Sequence, residues 1–156
     1  MVNTTLCHIE KDNKYLMLHR IKKQNDLNHD KWIGIGGKFE DKESPEEANF
    51  RETLEETGLT LNSANYCGIV TFVSDKWETE NMHIFHSTDF QGEIKECNEG
   101  KLEWVEIQDV YNLPIWEGDK IFLKLIEEKS EFFSLKLEYQ GQKLIKAILN
   151  GKNLEI

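Results

Sequence analysis

One stretch limits what this chain can be more than any other: residues 36–59, reading GGKFEDKESPEEANFRETLEETGL. Its second half is bounded as a helix. Ser44 is a good N-cap, Pro45 suits the first helical position, and Glu47 stands three residues after the cap, completing a capping box. Gly58 offers a left-handed stop, and Leu59 is placed to pack back over the last turn. Between these signals Glu52, Glu55 and Glu56 are spaced i, i+3, i+4, so all three carboxylates share one helix face. Phe50 and Leu54 fall on the opposite face and are expected to bury themselves. Ala48, one turn before Glu52, is small enough to admit another backbone, which Gly36 and Gly37 could supply.

Carboxylates crowded into the last turns of a helix repel one another and oppose the helix dipole. A local rule broken without a local gain points to function. Oxygen-only ligands on a rigid face suit Mg²⁺ or Mn²⁺, which prefer carboxylate, water and phosphate oxygens. Taken alone, the same three glutamates also fit a solvated acidic helix face.

The charge balance bears on that choice. Residues 37–59 hold eight acids against three bases, half of the chain's net charge of −10. An anionic substrate approaches such a site only with divalent cations in place, so the imbalance itself implies a metal. It also argues against a nucleic-acid polymer as partner, which requires clustered Lys and Arg.

The stretch resembles the Nudix box, a Gly, five residues, a Glu, seven residues and then REUxEExGU, where U is a bulky aliphatic. Gly37, Glu43, Arg51, Glu52, Glu55, Glu56, Gly58 and Leu59 fall in register. Thr53 departs from the pattern, standing where Ile, Leu or Val is usual; a place on the helix flank would make this a packing adjustment. Further stretches, LMLHR at 16–20, KWIGIGGK at 31–38, and CNEGKLEWV and WEGD between 97 and 119, resemble the MutT-type 8-oxo-dGTP diphosphatases, especially a MutX-like branch.

The resemblance implies a Nudix α/β/α sandwich, a mixed central sheet flanked by helices, and hydrolysis of a nucleoside diphosphate linked to some group X. It implies Glu52, Glu55, Glu56 and Glu99 as metal ligands, with the Gly36 carbonyl added, and Arg51 as the residue that orients Glu52 or Glu55. Glu43 would brace the loop. For substrate it implies Arg20 at a phosphate, Trp116 stacked on a purine, Asp119 at the purine edge, and Ile33 and Phe72 in the same pocket. Two positions differ from purine-sanitising relatives. Ile33 stands where some carry a base-reading Asn, and Gly118 where they have a second Asp.

The reading implied is a Mg²⁺-dependent nucleoside triphosphate pyrophosphohydrolase clearing oxidised purine nucleotides. The alternatives are the same chemistry on ADP-ribose or a dinucleoside polyphosphate, and a Nudix-fold module that binds a nucleotide without cleaving it.

The rest of the chain is expected to frame this site. Residues 2–10 and 14–20 read as a hairpin about Lys11-Asp12-Asn13, residues 21–31 as a polar, mobile loop, and residues 65–73, 81–90 and 102–107 as strands. A short helix fits 108–113. An amphipathic helix lies within 116–129, with Ile121, Phe122, Leu125 and Ile126 facing inward. Phe133, Leu135, Leu137 and Tyr139 alternate, and 143–149 returns as a closing hairpin.

At 156 residues with no repeat or linker, one domain over 1–156 is expected. No apolar run reaches the length of a membrane span and no leader pattern opens the chain, so a cytoplasmic enzyme, monomer or homodimer, is expected. Cys7, Cys67 and Cys97 form no CxxC pair and are read as reduced thiols. His83 and His86 on one strand would point to opposite faces, which disfavours zinc.

Overall fold

The computed structural model describes residues 1–22, 26–96 and 98–156. The predicted hairpin opens the fold: β1 (Val2–Lys11) turns through Asp12 and Asn13, both at positive φ, into β2 (Lys14–His19). The strands pair only next to the turn and then diverge into two sheets. In the small sheet, β2 lies between β3 (Trp32–Ile33) and β6 (Lys101–Glu106), antiparallel to both.

The larger sheet is mixed. β1 runs parallel to β5 (Glu80–Gln91), which is antiparallel to β4 (Thr60–Ser74). Next comes β7 (Phe133–Gln140), parallel to β4, followed by β8 (Lys143–Leu149) and β9 (Lys152–Leu154), each antiparallel to its neighbour.

Because adjacent residues of a strand face opposite ways, Leu6 and Ile84 enter one apolar cluster while Cys7 and Phe85 enter another. The first cluster takes in Ile107 and Val110 of α2 (Ile107–Val110) and Phe122, Leu123 and Ile126 of α3 (Asp119–Glu127). The second lies on the face of α1 (Pro45–Thr57), which packs on β1 and β4, and takes in Leu59 and Leu61 just after that helix. Helices thus cover both faces of a mixed sheet, the expected α/β/α arrangement. Among the described residues no helix is long and apolar enough to cross a membrane.

Three expectations need correction. Strand β4 starts at Thr60, not residue 65, because its pairing with β5 shifts register three times between Leu61 and Gly68, and such bulges erase the alternation that marks a strand. Leu123 is buried in α3, whereas Ile121 and Leu125 are only partly covered, so that helix is rotated from the expected face. The third concerns α1 and bears on function.

Both caps of α1 form as read. Ser44 Oγ accepts from the Glu47 amide, Glu47 Oε1 from the Ser44 amide, and Gly58 is left-handed. Yet Phe50 is 41% exposed and Leu54 48% exposed, while Ala48, Asn49, Thr53, Glu56 and Thr57 are buried. The helix turns its small and polar face inward, Glu56 included, and its apolar residues are left in water.

Thr53 is therefore not on the flank but fully buried, and its Oγ1 has no hydrogen-bond partner. A buried hydroxyl without a partner costs about 1–3 kcal/mol. Thr53→Val, which keeps the shape and removes the hydroxyl, is expected to raise stability by about 1 kcal/mol, read as a higher urea midpoint with an unchanged slope.

Candidate active site

The site begins where the glycine loop is pinned between β1 and α1. The Thr5 amide donates to the Gly37 carbonyl at 2.9 Å, and Ile35 and Cys7 exchange a pair of backbone bonds. No side chain fits here. A Cβ on Gly36 would stand 1.7 Å from the Thr5 carbonyl oxygen, and one on Gly37 2.4 Å from Glu52 Oε2. The close approach expected beside Ala48 is made instead by Gly37 to Glu52 and by Gly36 to β1.

Arg51 locks the other side. Its Nε and Nη2 donate to the two oxygens of Glu43 at 2.6 and 2.9 Å, Nη1 donates to Glu52 at 2.8 Å and Glu55 at 3.1 Å, and Nη2 reaches the Lys38 carbonyl at 2.9 Å. Glu43 also accepts from the Glu40 amide at 2.7 Å, the bracing expected of it. The Glu43 bonds above all hold the guanidinium in its charged form.

Glu56 is the most enclosed carboxylate of the group. Burial first, then the hydrogen-bonded Glu99 carboxyl and the Glu52 charge, push it far above the ordinary carboxylate range, and Arg20 only partly opposes this. Burial likewise pushes Glu52 up against the pull of Arg51. Glu99 comes from the turn before β6 and accepts from Arg20 Nη1 at 2.8 Å, while Arg20 Nε donates to Asp26 at 2.8 Å. Arg20 is thus engaged by two carboxylates.

In the same cavity, Trp116 is buried to 5% exposure. Its indole meets Phe72 and Tyr139 edge-on at 5.2 and 4.9 Å, and its Nε1 donates to Asn28 Oδ1 at 2.9 Å. The Lys31 ammonium lies 4.9 Å from its ring centroid, so a purine stacking on that face must displace Lys31. A Cβ at Gly118 would stand 2.5 Å from Leu137 Cδ1 and 2.7 Å from the Tyr139 hydroxyl, which itself accepts from the Gly118 amide, so a side chain here requires those two ends to shift.

Asp119 is the first residue of α3 and makes no capping bond; Gly118 is the N-cap. Its carboxyl borders the cavity, and burial pushes it up to about 8, opposed by the Lys31 charge and a backbone bond at Trp116. The folded value lies above the unfolded one of about 3.9, so the folded chain holds this proton more tightly. The associated stability is fully present below about pH 4 and is lost as pH rises through about 8. Asp119→Asn has no such proton, so its stability relative to wild type is expected to improve steadily from about pH 5 to about pH 9 in urea titrations.

One cavity of about 690 Å³ joins these parts. Arg20, Ile33, Gly36, Glu52, Phe72, Glu56, Glu99, Trp116 and Asp119 all line it. Arg51 stands behind Glu52, and Glu55 is 56% exposed and outside the lining. Asp26 and Asn28, which sequence reasoning passed over, also line the cavity. They belong to the polar loop, where no periodicity marks one side chain from the next.

Among the described residues no three acidic, His or Cys side chains converge tightly enough to hold an ion as they stand, since Glu52 and Glu55 face Arg51 and Glu99 faces Arg20. The donor chemistry nevertheless fits a divalent cation. The set is oxygen-only, and Glu56 Oε2 is buried with no partner. Other candidates fall elsewhere. His83 bonds Tyr66 and Asn3 while His86 bonds Glu10, so the two rings share no partner. Cys7 and Cys67 are free thiols that burial pushes up to about 12 and about 11, and Cys97 lies outside the described residues.

The family model for the NUDIX domain matches residues 2–126. The chain belongs to the Nudix family. This Nudix hydrolase is 32% identical over 116 residues to the oxidized purine nucleoside triphosphate hydrolase of Danio rerio, covering 74% of each chain. Over 120 residues it is 32% identical to an uncharacterized Nudix hydrolase of Bacillus subtilis (strain 168), covering 74% of this chain and 72% of that one. Among solved structures it resembles the mutator MutT protein of Bacillus halodurans with a TM-score of 0.85 and 27% identity, over 97% of this chain and 99% of that one.

Proposed function

We propose that this Nudix hydrolase is a Mg²⁺-dependent pyrophosphohydrolase, with Mn²⁺ able to substitute, that converts oxidised purine nucleoside triphosphates such as 8-oxo-dGTP to the monophosphate and pyrophosphate. The observation that carries the reading is the single cavity, with an oxygen-only carboxylate cluster at one end and Trp116, Phe72 and Asp119 at the other. A triphosphate and a purine need those two surfaces in one enclosure. The similarity to the Danio rerio enzyme supports the choice of substrate.

Glu52, Glu55, Glu56, Glu99 and the Gly36 carbonyl would hold the cation. Bound there, a divalent cation neutralises the phosphate oxygens and lowers the pKa of a water nucleophile. The chain's own groups do the rest. Arg51 fixes Glu52, and Arg20 fixes Glu99 beside Glu56. Water adds to phosphorus as the bond to the departing pyrophosphate oxygen breaks, and the water's proton passes to an ionised carboxylate of the cluster.

At the other end Asp119, held neutral by its surroundings near pH 7, can donate to an acceptor on the base, while Ile33 offers apolar contact only. Product analysis tests the reaction class. Free pyrophosphate and nucleoside monophosphate from 8-oxo-dGTP are expected. Two phosphorylated products without free pyrophosphate, from ADP-ribose or a dinucleoside polyphosphate alone, would overturn the assignment. Tight nucleotide binding without turnover would do the same in favour of a binding module.

A further inference from the structure

The base end of the cavity is built mostly of apolar surface from Leu27, Ile33, Phe72, Met82 and Trp116. Such walls hold a ring by area and shape, and cannot tell one purine edge from another. Discrimination needs a polar group of fixed orientation, and Asn28 is one. Its backbone is tied at both ends, the amide donating to Asp26 Oδ1 at 3.3 Å and the carbonyl accepting from the Lys31 amide at 2.8 Å. Its side chain is fixed too. An indole N–H is a donor only, so the carboxamide must present its oxygen to Trp116 Nε1, 2.9 Å away. The Nδ2 group is thereby turned away from the indole, and it has no partner among the described residues.

Asp26 ties this arrangement to the reacting end. Its Oδ1 holds the Asn28 amide, and its Oδ2 holds Arg20, which holds Glu99.

We infer that Asn28 is a specificity-determining residue of this enzyme, donating from Nδ2 to a carbonyl oxygen on the purine that lies against Trp116. The inference rests on the purine triphosphate reading. An amide donor selects a base carbonyl because an edge without one leaves the donor unpaired in an enclosed site. A donor on the polar loop also compensates for Ile33, which has no polar atom to offer.

The test compares wild type with Asn28→Asp and Asn28→Ala on 8-oxo-dGTP and on 2-aminopurine deoxyribonucleoside triphosphate, a purine with no carbonyl. Asn28→Asp keeps an acceptor for Trp116 and removes the donor. Its kcat/KM for 8-oxo-dGTP is expected to fall about tenfold or more, with little change on the 2-aminopurine substrate. An equal loss on both substrates, as added negative charge alone would produce, overturns the inference. So does a loss in Asn28→Ala with none in Asn28→Asp, because Asn28 would then serve only to hold the indole.

Equilibrium binding of 8-oxo-dGMP, followed by tryptophan fluorescence, separates the two levels. If wild type cleaves no triphosphate, the proposed function fails on its own. Weaker binding of 8-oxo-dGMP by Asn28→Asp than by wild type would still support the role of Asn28. Equal binding, or no binding by wild type, overturns it.

Discussion

Glu56→Gln is expected to lower kcat/KM for the best triphosphate substrate by about 10³-fold, the scale on which loss of one group aimed at developing charge is felt. The metal-free protein should nevertheless gain stability at pH 8. Glu56 is buried, faces the Glu99 and Glu52 charges, and has one oxygen without a partner, so its ionised form is unfavourable in the folded chain. Its folded value is raised, so the associated stability is present in acid and lost as pH rises through the neutral range. Glutamine removes that liability, and each kcal/mol regained raises Tm by roughly 2 to 4 °C at this chain length. Added Mg²⁺ should raise the wild-type Tm and leave that of Glu56→Gln nearly unchanged. A variant both inactive and destabilised in the absence of metal would mean that Glu56 is a structural residue.

Arg51→Ala carries the second large effect. This one side chain bonds Glu43, Glu52, Glu55 and the Lys38 carbonyl, so it joins the loop before α1 to the acidic face of that helix. Its loss leaves Glu43 and Glu52, both only 14% exposed, without their counter-charge. Hydrogen bonds to charged groups contribute about 1.5–3 kcal/mol, and a stability loss of about 2 kcal/mol is expected. Displacement of Glu52 should reduce kcat about 10²-fold, with a smaller change in KM, because geometry at the reacting end is lost while the base end is untouched. Arg51→Lys restores charge without the planar fork, so it should recover stability in part and kcat little. A loss of stability with kcat unaltered would leave Arg51 as a strut with no part in positioning Glu52.

The parts of the molecule legible in the sequence are those set by neighbours in the chain. The caps of α1 act over a few residues and formed as read, as did the opening hairpin and the alternation through β7. The face of α1 was misread because burying an apolar stripe is only the default. Here Phe50 and Leu54 face outward while Glu56 faces the cavity, an orientation that hydrophobicity alone does not predict. The start of β4 was hidden by its bulges.

Within the site, nine of the eleven expected residues line one cavity, because motif positions carry over with the fold. Asp26 and Asn28 left no such mark. Their roles come from long-range partners, Arg20 and Trp116, that only the folded chain brings near.

The most direct test is the initial rate of pyrophosphate release with Mg²⁺ from 8-oxo-dGTP, dGTP, dATP, dCTP and ADP-ribose, for wild type and Glu56→Gln. The account predicts the highest kcat/KM on 8-oxo-dGTP, with that activity lost in the variant. No pyrophosphate from any triphosphate, or release that persists undiminished in Glu56→Gln, would contradict it.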